Sequence, residues 1–355
     1  MSAQEKSRDL PGYKVDAVEA WVRENVSGLT PPFEWVQLQG GHSNLTYRLK
    51  NADGHEAVIR RPPEGELLPK AHDMGREWSV ISALDPTPVP VASPLGFCED
   101  KSVTGSLFYL MSWVDGHSLH AAPHAEEHLP EASRTKAAQS LIDVQVALHS
   151  LDPEEIGLDG LGKHDGYVAR QLKAWYRSWT ASAADSKLED QRAHDLEAFL
   201  TANIPDQGAP RVVHGDYGMH NVLFGADHTV AAVIDWEICT LGDPIADFAY
   251  TLNQFTDPSD LEPPPPEAVS ALPGFPTRTE LATRYAEKSG RDLSLLDYYI
   301  AFNHWKTACI VQGVVARYRA GQKSTEGINL DLLDDRVLRS LARATEAVER
   351  LQTAS

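Results

Sequence analysis

Residues 211–237 read RVVHGDYGMHNVLFGADHTVAAVIDWE. The apolar pair Val212 and Val213 runs into His214-Gly215-Asp216, and Asn221 follows five positions after Asp216. A second apolar run, Val222 to Phe224, then a turn and a third run, Val230 to Ile234, deliver Asp235. Short β-branched runs broken by Gly, Asp and His read as strands with tight connections. Two carboxylates and one amide therefore stand at strand ends, where a rigid backbone can fix their positions.

That set of groups suits phosphoryl transfer, which asks for positioning and for charge to meet charge rather than for covalent work. Asp216 is placed to accept the hydrogen bond of an acceptor hydroxyl and to take its proton late. Asn221 offers a neutral oxygen ligand and Asp235 an anionic one, a hard-oxygen pair that fits Mg²⁺ rather than zinc. Taken singly each has a bland reading: Asp216 as an Asx-turn residue, Asn221 as a turn amide, Asp235 as a strand-end charge. The order of the elements upstream favours the chemical reading. His214 reads as a structural residue bonding the loop, His220 as a solvated side chain, and Asp247 as an anchor for the loop through backbone N–H groups.

The chain has 355 residues, 42% of them hydrophobic, which is enough for a substantial core in two lobes. A net charge of −19 argues against binding a nucleic-acid backbone, which needs clustered Lys and Arg. No basic, apolar leader and no apolar run long enough for a membrane span is visible, so a soluble cytoplasmic protein is expected, as monomer or homodimer. Cys98, Cys239 and Cys309 lack CxxC spacing and read as free thiols.

Upstream, residues 1 to 12 read as a frayed terminus and Val15 to Val26 as an amphipathic helix ended by Gly28. Phe33 to Leu38, Leu45 to Leu49 and Glu56 to Arg61 read as an antiparallel meander, with turns at GGHSN (40–44) and Asn51 to Gly54. The first turn could lay backbone N–H groups and the Ser43 hydroxyl, with Asn44 beside it, against nucleotide phosphates; a plain hairpin turn is the alternative. By the two-residue period of a strand, Arg60 and Arg61 face opposite ways. Arg60 is the expected phosphate cation, and Arg61, just before Pro62, a solvated edge charge. Glu77, in a helix over Asp73 to Leu84, is the expected partner of Arg60, against the alternative of a solvent-facing carboxylate.

Strands resume at Leu95 to Cys98 and Leu107 to Trp113, and Val114-Asp115-Gly116 breaks the pattern. Met111 and Trp113 flank a hinge where backbone groups could meet an adenine edge, though both also read as ordinary core. The fold class expected is α+β: a small antiparallel sheet lobe over 1–114 and a mainly helical lobe over 115–355. Helices are expected near Ser133 to Ser150, where His149 reads as a dipole-favoured cap, Gly166 to Ala183 and Leu188 to Ala202. Others follow: one capped by Asp243-Pro244, then Thr279 to Ser289, Leu293 to Ala320 and Leu330 to Gln352.

The segments VVHGDYGMHNVLF and VIDWE resemble the aminoglycoside phosphotransferase and choline kinase-like family of small-molecule kinases. VIRRPP with GREWSVISAL, and IDWEICTLGDPIADFAY, are similar to a subgroup that includes kinase-like regions joined to acyl-CoA dehydrogenases. The resemblance implies a two-lobed, protein-kinase-like fold, ATP or another nucleoside triphosphate with Mg²⁺, Asp216 as catalytic base, Asn221 and Asp235 as metal ligands, and Ser43 with Arg60 at the phosphates. It departs at two places: Arg60 stands where the family usually has lysine, and the glycine loop is only Gly40-Gly41.

The acceptor is expected to be a small molecule with a hydroxyl group, with hydroxyacyl-CoA or a related metabolite preferred. An aminoglycoside-type acceptor, or a non-catalytic nucleotide-binding pseudokinase, are the alternatives. Lys306, Arg317 and Arg319 are candidate cations for the phosphates of a CoA thioester, Lys306 and Arg317 being eleven positions apart on one helical face; a solvated face is the competing reading.

Overall fold

The computed structural model describes residues 9–38, 44–64, 73–258, 260–261, 263–265 and 267–354. The turn at GGHSN, Ser43 included, lies outside them apart from Asn44. Val15, Val18 and Val22 recur at helical spacing and are buried, forming α1 (Val15–Asn25). The helix stops three residues before Gly28, whose φ of 77° makes the following turn. The meander follows as β1 (Phe33–Gln37), β2 (Leu45–Asn51) and β3 (Glu56–Arg61), with the β2–β3 turn closed by the His55 N–H donating to Asn51 Oδ1 at 2.8 Å. Asp73 caps α2 (Met74–Leu84) by accepting the Arg76 N–H. Next come β4 (Pro94–Cys98), the single turn α3 (Lys101–Thr104) and β5 (Phe108–Ser112). The five strands form one antiparallel sheet in the order β1-β2-β3-β5-β4.

The helical sequence continues as α4 (Ala122–His128), α5 (Glu131–Ser150), α6 (Tyr167–Ser186) and α7 (Gln191–Ala202). Then β6 (Arg211–Val213) precedes the hairpin β7 (Val222–Phe224) and β8 (Val230–Val233). β6 pairs instead with β9 (Thr240–Gly242), which leads into α8 (Pro244–Leu252). The chain ends in α9 (Arg278–Ser289), α10 (Leu296–Arg319) and α11 (Leu330–Ala354). Asp243 is the N-cap of α8 and Pro244 its first residue, as the sequence implies. Short α3 and α4 and strand β9 were not legible, because none spans enough residues to show a period.

The chain divides into two compact units. One joins the described part of Met1–Ser118 to Ile156–Leu158 and Asn221–Ile238, and therefore holds the five-stranded sheet and the β7–β8 hairpin. Its core collects Val18, Val22, Leu49, Ile59, Phe108 and Leu110. The other unit is mainly helical, with α10 buried along most of its length among Trp179, Leu196, Leu341 and Val348. Cys98, Cys239 and Cys309 are buried free thiols, one of them in the sheet unit. No helix of the described residues is long and apolar enough to cross a membrane.

Arg61 corrects an expectation. It is not a solvated edge charge but 6% exposed, its guanidinium donating to the carbonyls of Gly12 and Thr104 while Nε donates to Pro62 O at 3.1 Å. The alternation of β3 does send it to the face opposite Arg60. That face is covered by Leu10 to Tyr13, which pair with each other through the Leu10 N–H to Tyr13 O bond at 3.0 Å rather than fraying. Three carbonyl acceptors replace the water a buried guanidinium would lose.

Candidate active site

In the sheet unit β3 carries Arg60 opposite Tyr109 of β5, and α2 carries Glu77. Arg60 Nε lies 3.1 Å from Glu77 Oε2, and Arg60 donates through NH2 to Asp235 Oδ1 at 2.7 Å. One guanidinium fork therefore bridges two carboxylates, which a lysine point charge could not do with the same geometry. Glu77 is 1% exposed, so it is not a solvent-facing helix carboxylate. It also accepts the Tyr109 hydroxyl at 2.9 Å and the Asn44 amide at 3.3 Å. Burial raises the Glu77 carboxyl above its ordinary range, with Arg60 and Tyr109 opposing that shift. Burial also works against the Arg60 cation, but Tyr109, Glu77 and Asp235 outweigh it and hold its pKa above the ordinary arginine value.

The hairpin brings Asn221 and Asp235 to one end, because the Ile234 N–H donates to Asn221 O at 3.0 Å just beyond the β7–β8 pairing. Asp235 then turns out of the strand with a φ of 65°, a left-handed conformation that a short polar side chain tolerates. The hairpin is fastened to the sheet unit. Val233 donates to Pro90 O at 2.8 Å, and His117 and Phe224 exchange two backbone bonds at 3.0 Å. An amide oxygen and a carboxylate at one end of the hairpin are hard-oxygen donors, the kind that fits Mg²⁺.

Met111 sits half-buried on β5, opposite Val58. The indole N–H of Trp113 donates to Asp115 Oδ1 at 2.7 Å, and the Arg48 guanidinium lies 4.2 Å over its ring. Trp113 is thus engaged in a surface cation–π contact rather than core packing.

In the helical unit Asp216 stands on the loop after β6. Asp247, in the first turn of α8, accepts the Gly215 N–H at 2.7 Å and the His214 N–H at 3.3 Å, so the anchor expected from sequence is present. His214 Nδ1 in turn accepts the Asp216 N–H at 3.3 Å. His149 Nε2 lies 3.1 Å from Asp247 and its Nδ1 2.8 Å from the Tyr285 hydroxyl. It lies in the last turn of α5, where the sequence places it as a dipole-favoured cap, but it is fully buried there and its imidazole also braces the anchor carboxylate. Burial would raise the Asp247 pKa, but His149, His214 and the Gly215 amide more than offset it.

Asp216 Oδ1 accepts a short hydrogen bond from the Tyr250 hydroxyl and lies 3.2 Å from His220 Nε2. His220, read from sequence as solvated, is a direct neighbour of the carboxylate, because the turn after Asp216 brings the residue four positions on back toward it. Burial would raise the Asp216 pKa; His220, Tyr250 and His214 outweigh that and hold it below the ordinary aspartate range. Tyr250 was missed at the sequence level. Its only signal was position, one helical turn after Asp247 on the same helix.

The cations Lys306, Arg317 and Arg319 do not form one cradle. Lys306 is buried while Arg317 is exposed, and Arg319 is held by Ser186 O and Asp334. Eleven positions return to one side of a helix, but α10 emerges from the core in its last turns, so the same side is covered at one end and open at the other.

The two units define a small-molecule phosphotransferase with a protein-kinase-like fold. Residues 34–282 match the APH phosphotransferase enzyme family, and the chain belongs to that family. It is 34% identical over 319 residues to acyl-CoA dehydrogenase family member 10 of Mus musculus, covering 87% of this chain but 29% of that protein. The chain thus spans well under half the length of the curated relatives it matches. A solved Ralstonia eutropha structure assigned to the aminoglycoside phosphotransferases is 30% identical, with a TM-score of 0.78 over 94% of this chain and 98% of that one. A thermostable variant of aminoglycoside phosphotransferase APH(4)-Ia, in complex with ADP and hygromycin B, shares the fold at 16% identity, with a TM-score of 0.56 over 94% and 98% of the two chains.

Proposed function

We propose that this chain moves the γ-phosphoryl group of ATP, or of another nucleoside triphosphate, to a hydroxyl of a small molecule. The observation that carries the reading is Asp216, anchored through its loop by Asp247 and held ionised by Tyr250 and His220. A carboxylate kept below the ordinary range is a weak base. It orients the acceptor hydroxyl and takes the proton only as the new O–P bond forms and the bond from the γ-phosphorus to the leaving diphosphate breaks.

Arg60 and Asn44, with Ser43, which lies outside the described residues, take the nucleotide phosphates, and Glu77 orients Arg60. Met111 and Trp113 flank the adenine, so that 1–114 bind the nucleotide and 115–355 carry the catalytic groups and bind the acceptor. Asn221 and Asp235 would hold Mg²⁺, which when bound neutralises phosphate charge. Arg60 and Asp235, which here pair with each other, would then turn to the phosphates and to the metal respectively.

For the acceptor, the acyl-CoA dehydrogenase relatives support a hydroxyacyl-CoA or related metabolite. The complex of APH(4)-Ia with ADP and hygromycin B supports a nucleotide and a small hydroxylated acceptor more generally. The test is Mg²⁺-dependent ADP release against hydroxyacyl thioester and aminoglycoside panels, with wild type and Asp216→Ala side by side. Asp216→Ala is expected to lower acceptor-dependent turnover by roughly 10²- to 10⁴-fold. Equal turnover in the two proteins sinks the role given to Asp216, and turnover on aminoglycosides alone sinks the acceptor.

A further inference from the structure

One face of α10 walks along α8. The Tyr299 hydroxyl donates to Asp243 Oδ2 at 2.7 Å, the Asn303 amide donates to Ala246 O at 2.7 Å, and Lys306 Nζ stands 5.7 Å over the ring of Tyr250. Steps of four and three keep these side chains on one stripe of the helix, so two hydrogen bonds set the register that places Lys306. Tyr250 in turn donates its hydroxyl to Asp216. The ammonium of Lys306 is therefore one tyrosine ring away from the carboxylate assigned to the acceptor hydroxyl, within the same unit.

Lys306 is 8% exposed. Among the described residues it makes no hydrogen bond and no ion pair; its one close partner is the Tyr250 ring, with Asp247 and Asp216 acting on it at longer range. A buried cation without a hydrogen-bonding partner is costly to keep, and a ring face replaces only part of its lost hydration. Burial depresses its pKa, and the two aspartates resist that shift. Arg60, by contrast, already has two carboxylates of its own unit.

We infer that Lys306 is a specificity-determining residue of the acceptor subsite, donating to an electron-rich acyl oxygen of the acceptor while Asp216 meets its hydroxyl. The assignment rests on the phosphotransfer reading above and adds to it the protein group that selects the acceptor. A polycationic acceptor would meet a buried like charge beside the catalytic carboxylate. A hydroxyl compound whose acyl oxygen lies a few bonds away supplies the partner that Lys306 lacks. That oxygen can belong to a free hydroxy carboxylate or to a hydroxyacyl thioester.

The experiment measures ADP release by wild type, Lys306→Met, Lys306→Arg and Asp216→Ala with four acceptors: a hydroxyacyl thioester, the hydroxy carboxylate, the matching alcohol without an acyl group, and an aminoglycoside. ATP affinity is measured separately by titration. Lys306→Met is expected to raise the acceptor KM by about tenfold or more, the usual weight of a hydrogen bond to a charged group, with Lys306→Arg recovering part of it and ATP affinity unmoved. The acyl acceptor preferred by wild type identifies the source of the oxygen. A second readout uses wild type alone: an acyl compound lacking the hydroxyl should inhibit competitively against the acceptor, and its deacylated counterpart should not.

An unchanged acceptor KM in Lys306→Met, an equal loss of ATP affinity, or a wild type that acts only on the alcohol or the aminoglycoside overturns the assignment and leaves phosphotransfer standing. If Lys306→Met does not fold, failure of the acyl inhibitor to compete overturns it. Absence of Asp216-dependent ADP release with every acceptor overturns the phosphotransfer reading and this assignment together.

Discussion

At Arg60 a forked cation stands where related kinases usually carry a lysine, and its surroundings give a physical reason for the fork. Nε serves Glu77 and NH2 serves Asp235, two acceptors on different elements. The Glu77 carboxylate, 1% exposed, depends on that cation as well as on Tyr109 and Asn44. Truncating Arg60 leaves a buried charge short of its principal partner. Arg60→Met is therefore expected to destabilise the protein by about 3 kcal/mol, and adding Glu77→Leu should restore part of that loss. Urea denaturation of the two single variants and the double variant measures the coupling. Strictly additive effects would show that the two side chains do not act as a unit.

Elements carry these residues only where backbones approach closely, and Gly116 is such a point. A Cβ built there would meet Phe224 O at 2.8 Å and Leu223 Cβ at 3.1 Å, because the adjoining His117 pairs with Phe224 of the hairpin that bears Asn221 and Asp235. Gly116→Ala is expected to cost about 1–3 kcal/mol by overpacking against backbone that cannot swing away. A denaturation midpoint equal to wild type would refute the close approach. In sequence, Gly116 reads only as the end of a strand pattern, since the segment it packs against lies a hundred residues on. The same limit governs what else was legible. Arg60, Glu77, Asp216 and Asp235 announce themselves by residue type and strand or helix period. Arg61 and His149 do not, because their partners are the carbonyls of Gly12 and Thr104 and the side chains of Asp247 and Tyr285, which only tertiary packing brings near. Tyr250 carries no such mark, since its hydroxyl meets Asp216 only in the folded chain.

Across the whole molecule the surplus of negative charge, −19, sits beside a small set of buried titratable groups whose protonation is set by packing. His304 on α10 is the clearest. Burial, aided by the cations Arg343, Arg278 and Arg350, pushes its pKa down to about 3. In an unfolded chain the same imidazole titrates at roughly 6.5. The folded state holds it neutral while the unfolded state takes up a proton, so its contribution to stability is complete above the unfolded value. That contribution is lost progressively as the pH falls from there toward about 3. Within that window one such group gives a slope of up to about 1.4 kcal/mol per pH unit. Carboxylates with depressed pKa values, Asp216 and Asp247 among them, add their own loss of stability on acidification, so a bare pH profile cannot isolate the histidine. His304→Asn removes the titration while keeping a polar side chain of similar reach. Stability by urea denaturation at intervals between about pH 4.5 and 6.5 should therefore fall less steeply for the variant than for wild type, by close to one proton's worth of slope. Parallel curves over that interval would mean that His304 is protonated to the same extent in both states and that α10 does not exclude its charge.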